Sequence, residues 1–291
     1  MIERIPQLIL YGIFQGGIYG LLAMGLTLQY GVCRVLNITH GEFVMLGAML
    51  TFTLSEGLGI SPLVAAAIIG PLLFAIGFVL QLTLFKGLKD RAPSPPVFEG
   101  NALLAAFGLM YVITFIAQIG WGGVSVSSRY LNVRVSFLGM DFFLNQLIAF
   151  AIAVALGVAV YLFLNRSRLG RAIRATAEDP ATAGLMGVNT NMVLAFCFGL
   201  GALLAGVAGT LISTLINART GIGFGNTVIA LIVVVLGGLG SVPGSFFAGI
   251  IIGIVSMLVV GFTEPVLTVP IYYAILMVLL LVKPAGLLGK R

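Results

Sequence analysis

Residues 165–189, NRSRLGRAIRATAEDPATAGLMGVN, are the most polar stretch of an oily chain and lie between two apolar runs, 145–164 and 191–216. A bilayer core of about 30 Å is crossed by ~20 apolar residues in a helix. Each flanking run meets that length, so the polar stretch reads as a connection between two membrane spans. Its own residues are patterned. The segment 168–177 holds good helix formers, and Asp179-Pro180 pairs an N-cap residue with proline at the first helical position. A second short helix therefore starts at Pro180, with Gly187 and Asn189 as stops. This is a helical knob carried on a membrane protein.

Composition supports the same class. Hydrophobic residues make up 60% of the 291 and charged residues 8%, too oily for a soluble domain. Further apolar runs cover 7–31, 42–56, 62–84, 101–119 and 267–283, with an interrupted run over 226–262. A β-barrel would show alternating segments of ~10 residues instead. The expectation is an all-α, polytopic helical bundle of about eight spans, eight or nine by count, forming one domain over 1–291. The first apolar segment is too long and too glycine-rich for a cleaved signal peptide. Pro93, Pro95 and Pro96 make 92–98 a stiff extended loop. Cys33 and Cys197 lie in or beside apolar segments and read as inert buried thiols.

Positive charge sets orientation. Lys86, Lys89 and Arg91, then Arg166, Arg168, Arg171 and Arg174, then Lys283, Lys290 and Arg291 face the cytoplasm, with Arg34 beside them. Arg129, Arg134 and Arg219 face outward, and the amino terminus lies outside. The net charge of +6 follows from this topology and points to no nucleic acid.

Three patterns are candidates for function. Gly237-Gly238-Leu239-Gly240-Ser241-Val242-Pro243-Gly244 cannot be regular helix. It joins two short spans by a tight turn, or marks half-helices meeting inside the protein, where transporters build substrate sites. Asn37, His40 and Glu42 are polar groups between two apolar segments, and such groups contact a transport path. The competing reading is structural: Thr39 and Glu42 have capping-box spacing, and His40 packs. Gly12, Gly16 and Gly20, and the pairs Ala202/Gly206 and Ala205/Gly209, form small-residue faces for close helix packing. The spans also contain Gln15, Tyr19, Gln29, Gln81, Gln118, Ser213 and Thr214, but almost no Asp, Glu, Lys or Arg. There is one histidine and no Walker A string, HExxH, GxSxG or CxxC, so the chain neither hydrolyses ATP nor carries a recognisable catalytic site.

Four stretches resemble one family, in order and in register. They are Gly17 to Leu26 (GIYGLLAMGL), Asn37 to Ala48 (NITHGEFVMLGA), Glu178 to Asn189 (EDPATAGLMGVN) and Leu236 to Gly244 (LGGLGSVPG). The family is the permease subunits of branched-chain amino acid ABC importers, the LivH/LivM type, with length and amino terminus closer to the LivH branch. Thr39 stands where alanine is commoner in that family. The resemblance implies a LivM-like second permease, two cytosolic ABC ATPases, a periplasmic solute-binding protein and a lipid surround in the bacterial inner membrane. ATP and Mg would be bound by the partners, and this chain would need no cofactor of its own. The 165–189 knob would be the coupling segment, with Arg171, Arg174, Glu178, Asp179, Pro180, Ala183 and Gly184 at the ATPase. The implied solute is a branched-chain or other apolar amino acid, or a small neutral relative such as urea or an amide. Tyr19, Asn37, His40, Glu42, Gly237, Gly238, Gly240 and Ser241 are the candidates for the path. The alternative function is a stand-alone, ion-coupled carrier, which would need no knob.

Overall fold

The computed structural model describes residues 5–123, 125–127, 130–137, 140–283 and 285–289. Arg129, Lys290 and Arg291 of the orientation argument lie outside the described residues. In chain order the helices are α1 (Ile5–Cys33), α2 (His40–Leu58) and α3 (Pro62–Leu80), which runs through a π turn (Gln81–Phe85) into α4 (Lys86–Arg91). Helix α5 (Pro95–Trp121) follows, then strands β1 (Ser125–Val126), β2 (Arg134–Phe137) and β3 (Met140–Phe143), and helix α6 (Leu144–Arg166). The knob is α7 (Arg168–Glu178) with α8 (Pro180–Leu185). Then come α9 (Thr190–Ser213), β4 (Ala218–Arg219), α10 (Ile222–Gly237), α11 (Val242–Phe262) and, after a 3-10 turn at Pro265–Leu267, α12 (Thr268–Val282).

Seven helices are long and apolar enough to cross a bilayer; α2 and the 16-residue α10 are not among them. The chain is a multi-pass inner-membrane protein. Its strands form two small antiparallel pairs, β1 with β4 and β2 with β3, a minor departure from an all-α fold. The 92–98 segment also departs from expectation. Helix α5 begins at Pro95, with Pro95 and Pro96 in its first turn, where a missing N–H costs nothing.

Basic residues gather at one end of the bundle. The α1 end at Gly31 abuts the 238–241 turn, and Leu287 and Leu288 donate to the carbonyls of Leu236 and Gly237 at 2.8 and 3.1 Å. Helix α6 ends there in Arg166 and leads into the knob. At the far end, Gln7 and Tyr11 of α1 bond to the Asp141 carbonyl in the β2–β3 hairpin.

Two segments break inside the bundle. From Arg34, which is exposed and left-handed at φ 54°, the chain turns back from the basic end. It runs through the buried Val35, Asn37 and Thr39 and starts α2 beside Leu22 of α1. Leu22 lies about 16 Å above the end of α1 at 1.5 Å per residue, so α2 begins at mid-depth. Residues 214–221 do the same from the far end, and α10 starts where α2 starts. The arrangement is an inverted repeat. Helices α1, α2 and α3 have the course of α9, α10 and α11 with every direction reversed. Accordingly α1 packs along α11 and α3 along α9, while α2 and α10 meet by their amino ends.

Glycine makes these contacts possible. A Cβ on Gly12 would fall 2.4 Å from the Ile254 Cα, and one on Gly16 2.5 Å from the Ile250 Cα. From the other side, Gly249 and Gly253 meet Gly20 and Gly16 at 2.4 Å. In α9, Gly206 and Gly209 lie against Gly47 and Val44 of α2. Both small-residue faces of the sequence are therefore backbone-to-backbone seams, where dispersion contacts hold helices together in lipid. Cys33 and Cys197 are buried free thiols.

Substituting Gly249→Leu should open the α1/α11 seam at a cost of about 1–3 kcal/mol or more. A lowered aggregation midpoint in detergent would register it. Gly57→Leu, with nothing within 4 Å of an added Cβ, should leave that midpoint unchanged.

Candidate functional site

The mid-depth junction is built from the polar string of the second segment. Asn37 donates to Gln29 Oε1 at 3.0 Å, and Gln29 donates to the Phe198 carbonyl at 3.0 Å. His40 Nε2 lies 3.0 Å from the Leu22 carbonyl and Nδ1 3.2 Å from Gln29 Oε1. A carbonyl only accepts, so Nε2 carries the proton and donates to Leu22; Gln29 Oε1 also only accepts and already receives the Asn37 amide, so its contact with Nδ1 is not a hydrogen bond in the neutral ring. All five residues are fully buried, and Asn37 also accepts from the Thr39 amide at 3.1 Å. This network bonds the Thr39 amide and ties the 34–39 segment to α1 and α9.

The capping-box reading of Thr39 and Glu42 is corrected. Thr39 makes no side-chain cap; its hydroxyl donates to the Ala106 carbonyl of α5 at 2.8 Å. Helix α2 is capped across the repeat instead: the Gly41 amide donates to Thr227 Oγ1 of α10 at 2.9 Å. Thr227 in turn reaches the Ile38 carbonyl at 2.9 Å. The Glu42 carboxylate packs against Gly223, where a Cβ would fall 2.2 Å from Oε1. A Cβ on Gly41 would fall 1.9 Å from the Gly223 carbonyl oxygen. Buried Glu42 thus sits beside the amino ends of α2 and α10.

Two cavities flank α1. The larger, about 650 Å³, opens in the far half and is bordered by α1, α9, α10 and α12. Tyr19 lines it beside Gln15, which donates to the Tyr19 hydroxyl at 2.6 Å. Arg219 and Asn226 add polar groups, and Phe14, Ile18, Ile212 and Leu215 form apolar wall. The second, about 270 Å³, lies at the basic end between α1, α6, α7 and the 240–243 turn. Gly240 and Ser241 line it, as do Thr27, Asn165 and Arg174.

The structure therefore distributes the sequence candidates. Tyr19 is in the far cavity, and Gly240 and Ser241 are in the basic-end cavity. Asn37, His40 and Glu42 pack in the junction between. Gly237 meets Gly244, and Gly238, at φ 99°, meets the backbone of Gly289. The 237–244 string is a tight turn at the basic end; Ser241 caps α11 by accepting from the Gly244 amide at 3.2 Å. Arg219, Gln15 and Asn226 were not singled out as cavity groups by sequence, although Arg219 was visible as an isolated charge in a short loop.

The knob is rigid by local chemistry. Ser167 caps α7 by accepting from the Gly170 amide at 2.8 Å. A Cβ on Gly170 would fall 2.3 Å from the Leu164 carbonyl oxygen, so only glycine lets α7 fold back on α6. Ile173 and Thr176 face inward, while Arg171 and Glu178 are exposed. Arg174 reaches back to the Leu164 carbonyl and caps the end of α6. Asp179 caps α8 by accepting from the Ala181 amide at 2.9 Å and from the Thr182 hydroxyl. Pro180 and Gly184 are exposed, and Ala183 is buried under α8. Asn189 does not end the knob; it caps α9, accepting from the Met192 amide at 3.2 Å. Leu185 and Met186 at the tip are 88% and 81% exposed.

The Thr182 hydroxyl, with the Thr182 and Ala181 amides, holds the Asp179 carboxyl below the usual aspartate range. A folded-state pKa below the unfolded one means the cap is complete above the ordinary aspartate value of about 3.9. It is lost as pH falls through the lower, folded value. The Ala181 amide signal should titrate with a midpoint below that of a free aspartate; a midpoint at or above it would contradict the cap. At the junction, Thr227→Val should cost about 1 kcal/mol and Gly41→Ala more, read as detergent melting midpoints.

A family described as the permease component of branched-chain amino acid transport systems matches residues 8–282. The high-affinity branched-chain amino acid permease LivH of Salmonella typhimurium is 31% identical, over 96% of this chain and 94% of its own length. BraD of Pseudomonas aeruginosa is 28% identical over 98% and 95%. A probable LivH of Methanocaldococcus jannaschii is 29% identical over 82% and 76%. Family members are transport permeases, not enzymes, and ATP hydrolysis resides in separate ATPase subunits. The apolar bundle, its inverted repeat and its near full-length matches lead to one assignment: this chain belongs to the branched-chain amino acid permease family of ABC importers.

Proposed function

We propose that the chain moves apolar amino acids inward by ATP-driven alternating access, with α7 and α8 as the segment through which ATP binding and hydrolysis act. A LivM-like second permease pairs with it in the bilayer. Two cytosolic ABC ATPases dock at the basic end, and a solute-binding protein delivers substrate to the far end. The positive-inside rule supports this orientation, because the described lysines and arginines of 86–91, 166–174 and 283 share one end. The amino end of α1 then faces outward. Among finer counts, α2 and α10 complete the seven long helices as two partial spans that start at mid-depth.

The observation that carries the proposal is the tip of the knob. Leu185 and Met186 stand almost fully exposed on a short, doubly capped helix. Exposed apolar residues on a rigid mount suit a groove in a partner. Ala183 and Ile173 anchor the knob to the bundle, so a push on the tip is passed to α6 and α9. Switching then amounts to exchanging which of the two cavities beside α1 is open. A stand-alone carrier would have no use for such a tip.

Changing Leu185→Asp and Met186→Asp together should lower ATP-driven uptake on the order of tenfold or more, by the ~1.4 kcal/mol per tenfold of a lost docking contact. Gly184→Trp should do the same, since Gly184 is exposed and nothing in this chain lies within 4 Å of a Cβ added there. Both variants should reach the membrane in normal amount. Normal uptake together with normal ATPase activity in both would overturn the coupling role.

A further inference from the structure

We propose that the 650 Å³ far-end cavity holds the zwitterionic head of the transported amino acid, with Arg219 and the open amino end of α10 receiving its carboxylate. This rests on the importer reading above and deepens it by placing the solute.

Arg219 is the one charged residue lining the cavity among the described residues. It is fixed by backbone: β4 pairs Arg219 with Ser125 and Ala218 with Val126 of β1. Two residues on, Gly221 adopts φ 104° and starts α10 with no side-chain cap. Gly221, Ile222 and Phe224 line the same cavity. Free amides at a helix start bind carboxylates and phosphates, and half-helices that begin at mid-depth present such ends to substrates. Glu42 already occupies the Gly223 side of this helix end. A carboxylate on the cavity side gains from a cation beside it, and Arg219 is placed to supply one.

The rest of the cavity matches the rest of the solute. Tyr272 is 1% exposed and lines the cavity, and its hydroxyl, near those of Tyr19 and Ser256, makes no hydrogen bond of good geometry. A buried hydroxyl left unpaired costs free energy, and a polar ligand would satisfy it. Gln15 spends its amide nitrogen on Tyr19, and Asn226 spends its own on the Ile222 carbonyl at 2.9 Å. Each keeps a carbonyl oxygen as an acceptor for an ammonium group. Ile18, Ile212 and Leu215 give the aliphatic side chain an apolar wall. Carboxylate, ammonium and branched aliphatic chain each have a complementary surface within one volume.

The test uses the complete transporter in proteoliposomes, supplied with leucine-loaded binding protein. Arg219→Gln should reduce leucine uptake on the order of tenfold, the effect of losing one charge-assisted hydrogen bond. ATPase stimulation by the loaded binding protein should persist, and Arg219→Lys should recover most of the uptake. Normal uptake by Arg219→Gln would overturn the site. Loss of uptake and stimulation together would also overturn it, since Arg219 would then serve docking or folding. If the unaltered transporter shows no ATP-dependent uptake, the importer reading itself fails, an outcome distinct from failure of the site.

Discussion

The structure depends on one junction, where the amino ends of α2 and α10 meet inside the bundle at Gly41 and Gly223. Non-helical backbone survives at membrane depth only if protein or cavity satisfies its polar groups. Here side chains at two places contribute. In the 34–39 segment Asn37 accepts from the Thr39 amide and Thr227 donates to the Ile38 carbonyl, and Thr227 also accepts from Gly41 at the start of α2. The 214–221 segment leans on β1. Neither glycine can carry a side chain, because each would strike the partner segment. The contact that closes the repeat is thus a contact of backbones, with Glu42 laid beside it.

This junction fixes where solute can go. The glycine seams along α1 and α11, and along α2 and α9, leave no room between those helices. Beside α1, space remains above and below the junction. The far cavity is larger and mixed in character, and the basic-end cavity is smaller and borders the knob. A motion of the knob at Leu164 and Ile173 reaches the second cavity directly and the first through α1. In the proposed cycle these rigid seams transmit the movement, while the two turns, 34–39 and 238–241, absorb it.

Much of this was legible in sequence, for identifiable reasons. Long apolar runs announce spans, and the helix formers of 168–177 and the Asp179-Pro180 pair announce the two helices of the knob. The four-residue spacing of Gly12, Gly16 and Gly20 announces a seam. The depth of a break is not legible. The glycines and proline of 237–244 mark any sharp turn, and the fold places that turn at the edge of the bundle. Residues 217–225 read as an ordinary outward loop, yet 214–221 lead α10 in at mid-depth. The repeat was hidden because it is a repeat of helix direction and packing, which different residues satisfy. Thr39 and Glu42 had capping spacing, but tertiary partners Ala106 and Gly223 claimed both side chains. Leu185 and Met186 were overlooked as apolar residues in a polar loop; two large apolar residues between Gly184 and Gly187 were the available signal.

Belonging to the ABC importer permeases makes one physical claim central: the chain does no transport on its own, and energy enters through its basic end. The most direct measurement reconstitutes the chain in proteoliposomes, alone and with its second permease, ATPases and binding protein, and follows leucine uptake under an ion gradient or with ATP. The account predicts uptake only in the complete set with ATP and binding protein, undiminished when ionophores dissipate every gradient. Uptake by the chain alone, driven by a gradient, would contradict it.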